Sequence, residues 1–404
     1  MATRDFDLVL FGATGFTGKL VAEYLDVHAP DGARIALAGR NPDKLEALRA
    51  GLRAKGRAFP LLEADSHDAY ALAAVAQRTK VVCTTVGPYA KHGLSLVGAC
   101  AKAGTHYADL TGEVQFMRDS IDAWNVEAQR TGARIVHACG FDSIPSEVGA
   151  WLLWQALGPM RRATYVVESM KGGFSGGTVA SLLNVLEEAS KDRARRRLLA
   201  DPYALSPDRG REPDLGPERD LTRFEYDDFV GRWVAPFVMS SINTRVVRRT
   251  NALLGYPYGR NFRYREVSGM PKGPRGVAFA AALTGGLGAL MAGLSFEPTK
   301  RLLLRVLPKP GEGPSEAARR AGRLKVRVFG EAEDGRRAAA LIVGQGDPGY
   351  QLTSLILSQA SLALALDTAR LPERAGVLTP ISAMGDVLVE RLRAAGMTLT
   401  VERS

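Results

Sequence analysis

Asp7-Leu8-Val9-Leu10-Phe11-Gly12-Ala13-Thr14-Gly15-Phe16-Thr17-Gly18, running into Lys19-Leu20-Val21-Ala22-Glu23-Tyr24-Leu25, decides how this chain folds. A short apolar run, three glycines at three-residue spacing and a stretch of helical periodicity read as strand, turn and helix. Glycine lacks a Cβ, so the first can turn sharply, the second lets backbone amides approach a pyrophosphate, and the third lets helix pack on strand. The N-terminus of the helix then faces the phosphates. Such a turn also occurs at plain strand-to-helix joints, so its surroundings decide its meaning.

The same beat recurs downstream. Arg34 to Arg40 reads as a second strand, and Asn41-Pro42-Asp43 as a helix start with proline in the first turn. Apolar runs follow at 59–64, 80–85, 105–110 and 134–138, separated by helical stretches near 68–76, 94–103 and 113–131. Six strands alternating with helices predict an α/β fold with a Rossmann-type, doubly wound parallel sheet over residues 1–145. The alternation ends at Phe141-Asp142-Ser143-Ile144-Pro145, the expected boundary with a second domain. In that second part, 163–169 reads as a strand and 324–333 with 336–343 as a hairpin around Asp334-Gly335. The charged, Pro- and Gly-rich 191–220 reads as a long surface loop. Thr379-Pro380 starts a helix reaching about Leu392.

Composition narrows the partners. The chain has 404 residues, 46% hydrophobic and 24% charged, with a net charge of +10. Its basic residues are scattered apart from Arg193-Ala194-Arg195-Arg196-Arg197, which reads as a solvated helix face, so no nucleic-acid partner is expected. A phosphorylated cofactor or an anionic carrier suits the charge. Cys83, Cys100 and Cys139 show no CxxC spacing, and no signal-peptide pattern precedes Asp7, so a cytoplasmic protein is expected, with membrane association left open by one segment. That segment, 277–296, carries no charge over twenty residues and is flanked by Lys272, Arg275, Lys300 and Arg301. Its glycines and alanines favour burial in a close-packed core or contact with an acyl chain; peripheral contact with a bilayer is the second reading and a true span the third.

The chemistry sits at the carboxyl ends of the first strands, where open parallel sheets place their ligands. Gly12, Ala13, Thr14, Gly15, Phe16, Thr17 and Gly18 are the expected phosphate cradle. Arg40, with Asn41 beside it, ends the second strand, where an acidic residue would read the 2′-hydroxyl of NAD and a guanidinium the 2′-phosphate of NADP, so the expected cofactor is NADP. Asp65 is expected at the adenine edge and Gly87-Pro88-Tyr89 at the nicotinamide ribose, while Tyr107 and Asp142 are placed to face the cofactor. A Walker A loop is excluded, because Gly12 and Gly18 enclose five residues and Lys19 precedes Leu20. Gly173-Phe174-Ser175-Gly176-Gly177 satisfies a nucleophile-elbow pattern, yet none of the five histidines follows Ser175, which rules out the Ser, acid, His order of α/β-hydrolases. Gly173, Ser175 and Gly176 are instead expected to place amides at a helix N-terminus facing a substrate carbonyl or the cofactor. Beyond residue 139 there is neither His nor Cys, so no metal site is expected.

Gly12 to Gly18, Ala38-Gly39-Arg40, Thr85 to Tyr89, Tyr107 to Glu113 and Gly140 to Ser146 resemble the saccharopine dehydrogenase-like oxidoreductases. Lys171 to Thr178, Asn243-Thr244-Arg245, Pro308 to Ser315, Gly346 to Tyr350 and Gly376 to Pro380 resemble their actinobacterial trans-acting enoyl reductase branch. The resemblance implies an NADPH-dependent reductase acting on an α,β-unsaturated acyl thioester held on a carrier protein of a polyketide synthase, in lipid biosynthesis. It adds Tyr350 to Tyr107 and Asp142 as proton-donor candidates. It also implies that 146–345 is an α+β domain with its own sheet and that the helices of 346–404 pack back on the first domain. Two other readings stand beside it: reduction of an imine in an amino-acid pathway, and a non-catalytic NADP-binding scaffold at lipid surfaces.

Overall fold

The computed structural model describes residues 4–172, 176–309 and 312–403, which form two compact units: residues 1–144 with 349–396, and 145–348 with 397–404. The first unit is built on β1 (Phe6–Phe11), β2 (Ile35–Gly39), β3 (Leu61–Glu63), β4 (Thr79–Thr84), β5 (His106–Ala108) and β6 (Arg134–Val136). These strands pair in parallel in the spatial order β6-β5-β4-β1-β2-β3, with Leu8 opposite Ile35 on one side and Val81 on the other. The direction of winding switches between β1 and β4, and all six carboxyl ends share one edge. Every residue of β1 is buried, as a strand covered on both faces requires.

Sequence periodicity predicts six strands here, and the sheet has seven: Gly376–Leu378 pairs in parallel with β6, Val377 opposite Ile135. The three-residue strand is too short to announce itself by alternation. The preceding helix, Thr353–Leu366, is buried along nearly its whole length, polar Ser358, Gln359 and Ser361 included, and packs on β1, β4 and β5. The expectation of helices alone in 346–404 is corrected a second time by Thr398–Arg403, which joins the other unit's sheet.

That second sheet contains β7 (Met160–Lys171), β8 (Glu225–Asp227), β9 (Arg232–Pro236), β10 (Arg263–Gly269), β11 (Arg323–Ala332) and β12 (Arg337–Gln345). Its order is Thr398–Arg403, then β12-β11-β7-β10-β9-β8, and only the β7 and β10 pair is parallel. It makes the unit α+β. The β11 and β12 hairpin turns at Asp334-Gly335, where Gly335 takes φ of +90°. Val166, Val234 and Val267 form a buried cluster on this sheet, with Phe329 packed against it.

Two expectations change. Within 191–220, read as a loop, Arg193–Ala200 is helical because Asp192 accepts the amides of Ala194 and Arg195; the helix buries no residue, so its arginines face solvent. The apolar stretch 277–296 is not close-packed in a core: it lies in the helix Pro274–Ser295, of which only Gly276, Ala280 and Leu294 are buried. A Cβ placed on Gly285, Gly286 or Gly288 would meet open space, so these glycines permit no close helix approach.

Candidate active site

The phosphate turn is held by the lack of Cβ atoms. Gly12 has φ of +83°, and a Cβ there would come 2.5 Å from Val86 Cγ2. A Cβ on Gly18 would lie 2.2 Å from the Gly12 carbonyl oxygen, so only glycine lets the helix Phe16–His28 sit this close to β1. The same carbonyl accepts the Gly15 amide at 3.0 Å and the Thr85 hydroxyl at 3.1 Å, which ties the turn to the loop after β4. Ala13 is buried, Gly15 is exposed, and Thr14, Phe16 and Thr17 are half-buried. No side chain caps the first turn of the helix, leaving its N-terminal pole to an anion. A pyrophosphate fits this cradle.

Arg40 is exposed at the end of β2, and next to it the Asn41 side chain accepts the Lys44 amide at 2.9 Å and caps the following helix. Asn41 therefore shapes the rim through its backbone course. After β3, Asp65 accepts the His67 amide at 2.9 Å. The rings of His67 and His92 meet edge to face, with 3.1 Å between Nε2 and Nδ1. Burial, then the nearby His67, Lys91 and Arg40, holds the His92 imidazole below the ordinary histidine range, while Asp65 works the other way. Arg40 and Lys91 thus bring positive charge close to His92 and Asp65, and a 2′-phosphate would match that guanidinium and ammonium. The histidines were invisible as site residues in sequence, because His92 reaches His67 only through the fold.

Gly87 is exposed and Pro88 half-buried, joined by a cis peptide bond. The Tyr89 side chain turns inward, its hydroxyl donating to the Thr84 carbonyl at 3.2 Å. The loop is fixed from behind by Glu113, a buried carboxylate that accepts the Tyr89 and Ala90 amides, both at 2.9 Å. Glu113 stands in the Tyr107 to Glu113 signature, but its partners lie 24 and 23 residues away in sequence.

Of the proton-donor candidates, Tyr107 is fully buried and its hydroxyl donates to Asp109 Oδ2 at 2.9 Å. Burial and then the Asp109 charge push its phenol well above the usual range. Asp109 also engages His137 Nδ1 at 2.7 Å and accepts the Thr111 and Ala138 amides, while His137 Nε2 lies 2.8 Å from Ser120 Oγ. This closed network locks the ends of β5 and β6, a supporting task. Tyr350 is buried edge to face against Phe16, ring centres 5.1 Å apart, behind the phosphate turn. Asp142 differs from both: it is only half-buried, just beyond the end of β6. Burial first, and then the Asp109 charge, pushes its carboxyl up to about 7. The loop that carries it is pinned where the Phe141 amide donates to Thr353 Oγ1 at 3.1 Å, a contact across 212 residues.

Gly173 and Ser175 lie outside the described residues, and Gly176 opens the helix Gly176–Lys191. Asn243 of the Asn243-Thr244-Arg245 signature is structural: with Tyr264 it hydrogen-bonds Glu266, whose buried carboxyl is pushed up to about 8. Arg245 pairs with Asp220. Among the described residues no group of His, Cys, Asp and Glu could hold a metal ion.

A glycine cradle at the switch point of a parallel sheet fits the pyrophosphate of a dinucleotide, the cofactor class of NAD(P)-dependent oxidoreductases. The family model for the saccharopine dehydrogenase NADP binding domain matches residues 8–136, from β1 to β6. A Mycobacterium tuberculosis protein provisionally named a trans-acting enoyl reductase is 50% identical, covering 99% of this chain and 98% of that protein. The trans-acting enoyl reductase of Mycobacterium bovis is 44% identical, covering 100% of this chain and 99% of its own length. Among solved structures, the apo saccharopine dehydrogenase (L-Glu forming) of Saccharomyces cerevisiae matches with a TM-score of 0.55 and 15% identity, over 98% of this chain and 99% of that one, a likeness of fold. The chain belongs to the trans-acting enoyl reductase branch of the saccharopine dehydrogenase-like oxidoreductases, and NADP is its cofactor.

Proposed function

We propose that this protein reduces an α,β-unsaturated acyl thioester presented by the carrier protein of a polyketide synthase in lipid biosynthesis. The carrying observation is the full-length match to proteins named trans-acting enoyl reductase, at 44% identity across 99% of the Mycobacterium bovis protein.

NADPH, when bound, supplies the hydride that the β-carbon of the acyl chain receives. The chain's own residues do the rest. The Gly12 to Gly18 turn and the helix it opens bind the pyrophosphate, and Arg40 selects the 2′-phosphate. Negative charge then gathers on the thioester oxygen, where amides near Gly173 to Gly177 are the candidate donors. Asp142 donates the proton to the α-carbon: a carboxyl with a pKa of about 7 is populated as the acid at neutral pH, as such a donor must be. Tyr107, Asp109 and His137 hold the β5 and β6 ends that carry it.

The test is NADPH oxidation by the full chain with enoyl thioesters on carrier protein, coenzyme A and a pantetheine mimic, beside a keto acid plus amino acid. Reduction of the carrier-bound enoyl group with the greatest kcat/KM is expected. NADPH consumption only with the keto acid and amino acid would replace this function with imine reduction.

A further inference from the structure

Between β10 and β11 the chain makes an excursion that adds no strand to the sheet, its first helix touching β9 and leaving most of its own surface exposed. It consists of the helix Pro274–Ser295, uncharged after Arg275, and a second helix, Glu297–Val306, which folds back so that Leu303 meets Gly293. Among the described residues the first helix alone is long and apolar enough to cross a membrane, and it is largely exposed. Phe279 is 59% exposed and Phe296 61%; on the second helix Leu302 is 62% and Val306 78%. Exposed large apolar groups on both helices and at the Phe296 joint between them are of the kind that marks an interaction surface.

Topology excludes a span. β10 runs parallel to β7 and β11 antiparallel to it, with Ser268 opposite Val167 and Arg323 opposite Lys171. The chain therefore leaves and re-enters the sheet at the same end of β7. A helix of 22 residues is about 33 Å long, enough to cross a bilayer once. The return would fall to a helix of 10 residues, about 15 Å long, that carries Lys300, Arg301 and Arg305. Both helices must stay on one side.

Charge names the partner. Over 270–309 the chain carries Lys272, Arg275, Lys300, Arg301, Arg305 and Lys309 against a single acid, Glu297, which lies 3.6 Å from Lys300 and 3.5 Å from Arg301. The basic groups flank the uncharged stretch 277–296 at both ends, and its middle offers a protein partner no polar group beyond Thr284 to recognise. Long basic side chains at the ends of an apolar segment suit anionic headgroups beside buried acyl tails. We propose that this helix pair seats the protein on the face of an anionic lipid bilayer, lying in the headgroup layer without crossing it.

Flotation of the full chain with vesicles tests this. Wild type is expected to float with phosphatidylcholine vesicles containing phosphatidylglycerol, and to be released by salt; pure phosphatidylcholine should retain at least about tenfold less. The Phe279→Asp, Leu283→Asp double variant, and independently the Arg301→Glu, Arg305→Glu variant, are each expected to lower binding about tenfold or more while binding NADPH as wild type does. The proposal is overturned if wild type stays at the bottom of the gradient with every vesicle, if both variants float like wild type, or if light scattering shows a lipid-free dimer that Phe279→Asp dissociates, since the face is then a contact between copies.

Discussion

Replacing Asp142 with asparagine keeps the shape of the side chain and removes its acid. At the ordinary aspartate value of 3.8, roughly one carboxyl in a thousand would be protonated at neutral pH; at about 7, roughly half are. Burial beside Asp109 thus raises the population of the acid several-hundredfold. With Asp142 as proton donor, kcat/KM for an enoyl thioester should be level below pH 7 and fall about tenfold per pH unit above it. Asp142→Asn should lower kcat/KM by about 10²–10⁴ and abolish that break, with the Kd for NADPH unchanged. Stability gives a second readout with a fixed sign. A raised folded-state pKa means that Asp142 contributes most below 3.8 and that this contribution is lost as pH rises through about 7. The asparagine variant should therefore melt above wild type at pH 8 and lose that advantage in acid. NADPH oxidation from pH 5 to 9 and thermal melts at the two ends check both. A variant that keeps the wild-type rate, or the same break in its pH profile, refutes the assignment.

Arg40→Gln removes the guanidinium from the 2′-phosphate rim; a lost charge-assisted hydrogen bond costs about 1.5–3 kcal/mol, so the Kd for NADPH should rise about tenfold to hundredfold with that for NADH little changed, as fluorescence titration will read. Asp109→Ala strands the Tyr107 hydroxyl, His137 and the Thr111 and Ala138 amides in a buried pocket, and should cost about 3–5 kcal/mol in urea unfolding; an unmoved midpoint would show the network to be dispensable. Burial raises the Asp7 carboxyl, but hydrogen bonds from Arg34 and Lys80 outweigh it and hold the group far below 3.8. Its contribution is fully present above 3.8 and shrinks as pH falls towards the lower folded value, so Asp7→Asn should weaken the protein at pH 7 and do so by clearly less near pH 2, measured as the gap between urea midpoints.

Much of the first unit is legible along the chain because its causes are local. Strand, glycine turn and helix follow one another within twenty residues, and Arg40 falls at the end of the next strand by simple counting. The period of 2 or 3.6, proline at helix starts and glycine at positive φ each act over a few residues. Gly335 in the hairpin is legible for the same reason.

What escaped the sequence depends on residues far apart. Alternation could not reveal Gly376–Leu378 as the strand beside β6, because a three-residue strand is specified by its neighbour. Glu113 becomes a clamp only when the fold brings it to Tyr89, and Tyr107 leaves the list of exposed groups only when Asp109 and His137 close over it. Composition gave 277–296 its apolar character and could not say whether the core or the solvent receives it; packing left it outside. From the sequence alone came a glycine turn between strand and helix, a parallel sheet and an arginine at the end of the second strand, since those follow from backbone sterics and short-range spacing. Only tertiary structure decided that Asp142 is the carboxyl with its pKa near 7, because desolvation and the charge of Asp109 are properties of a three-dimensional neighbourhood.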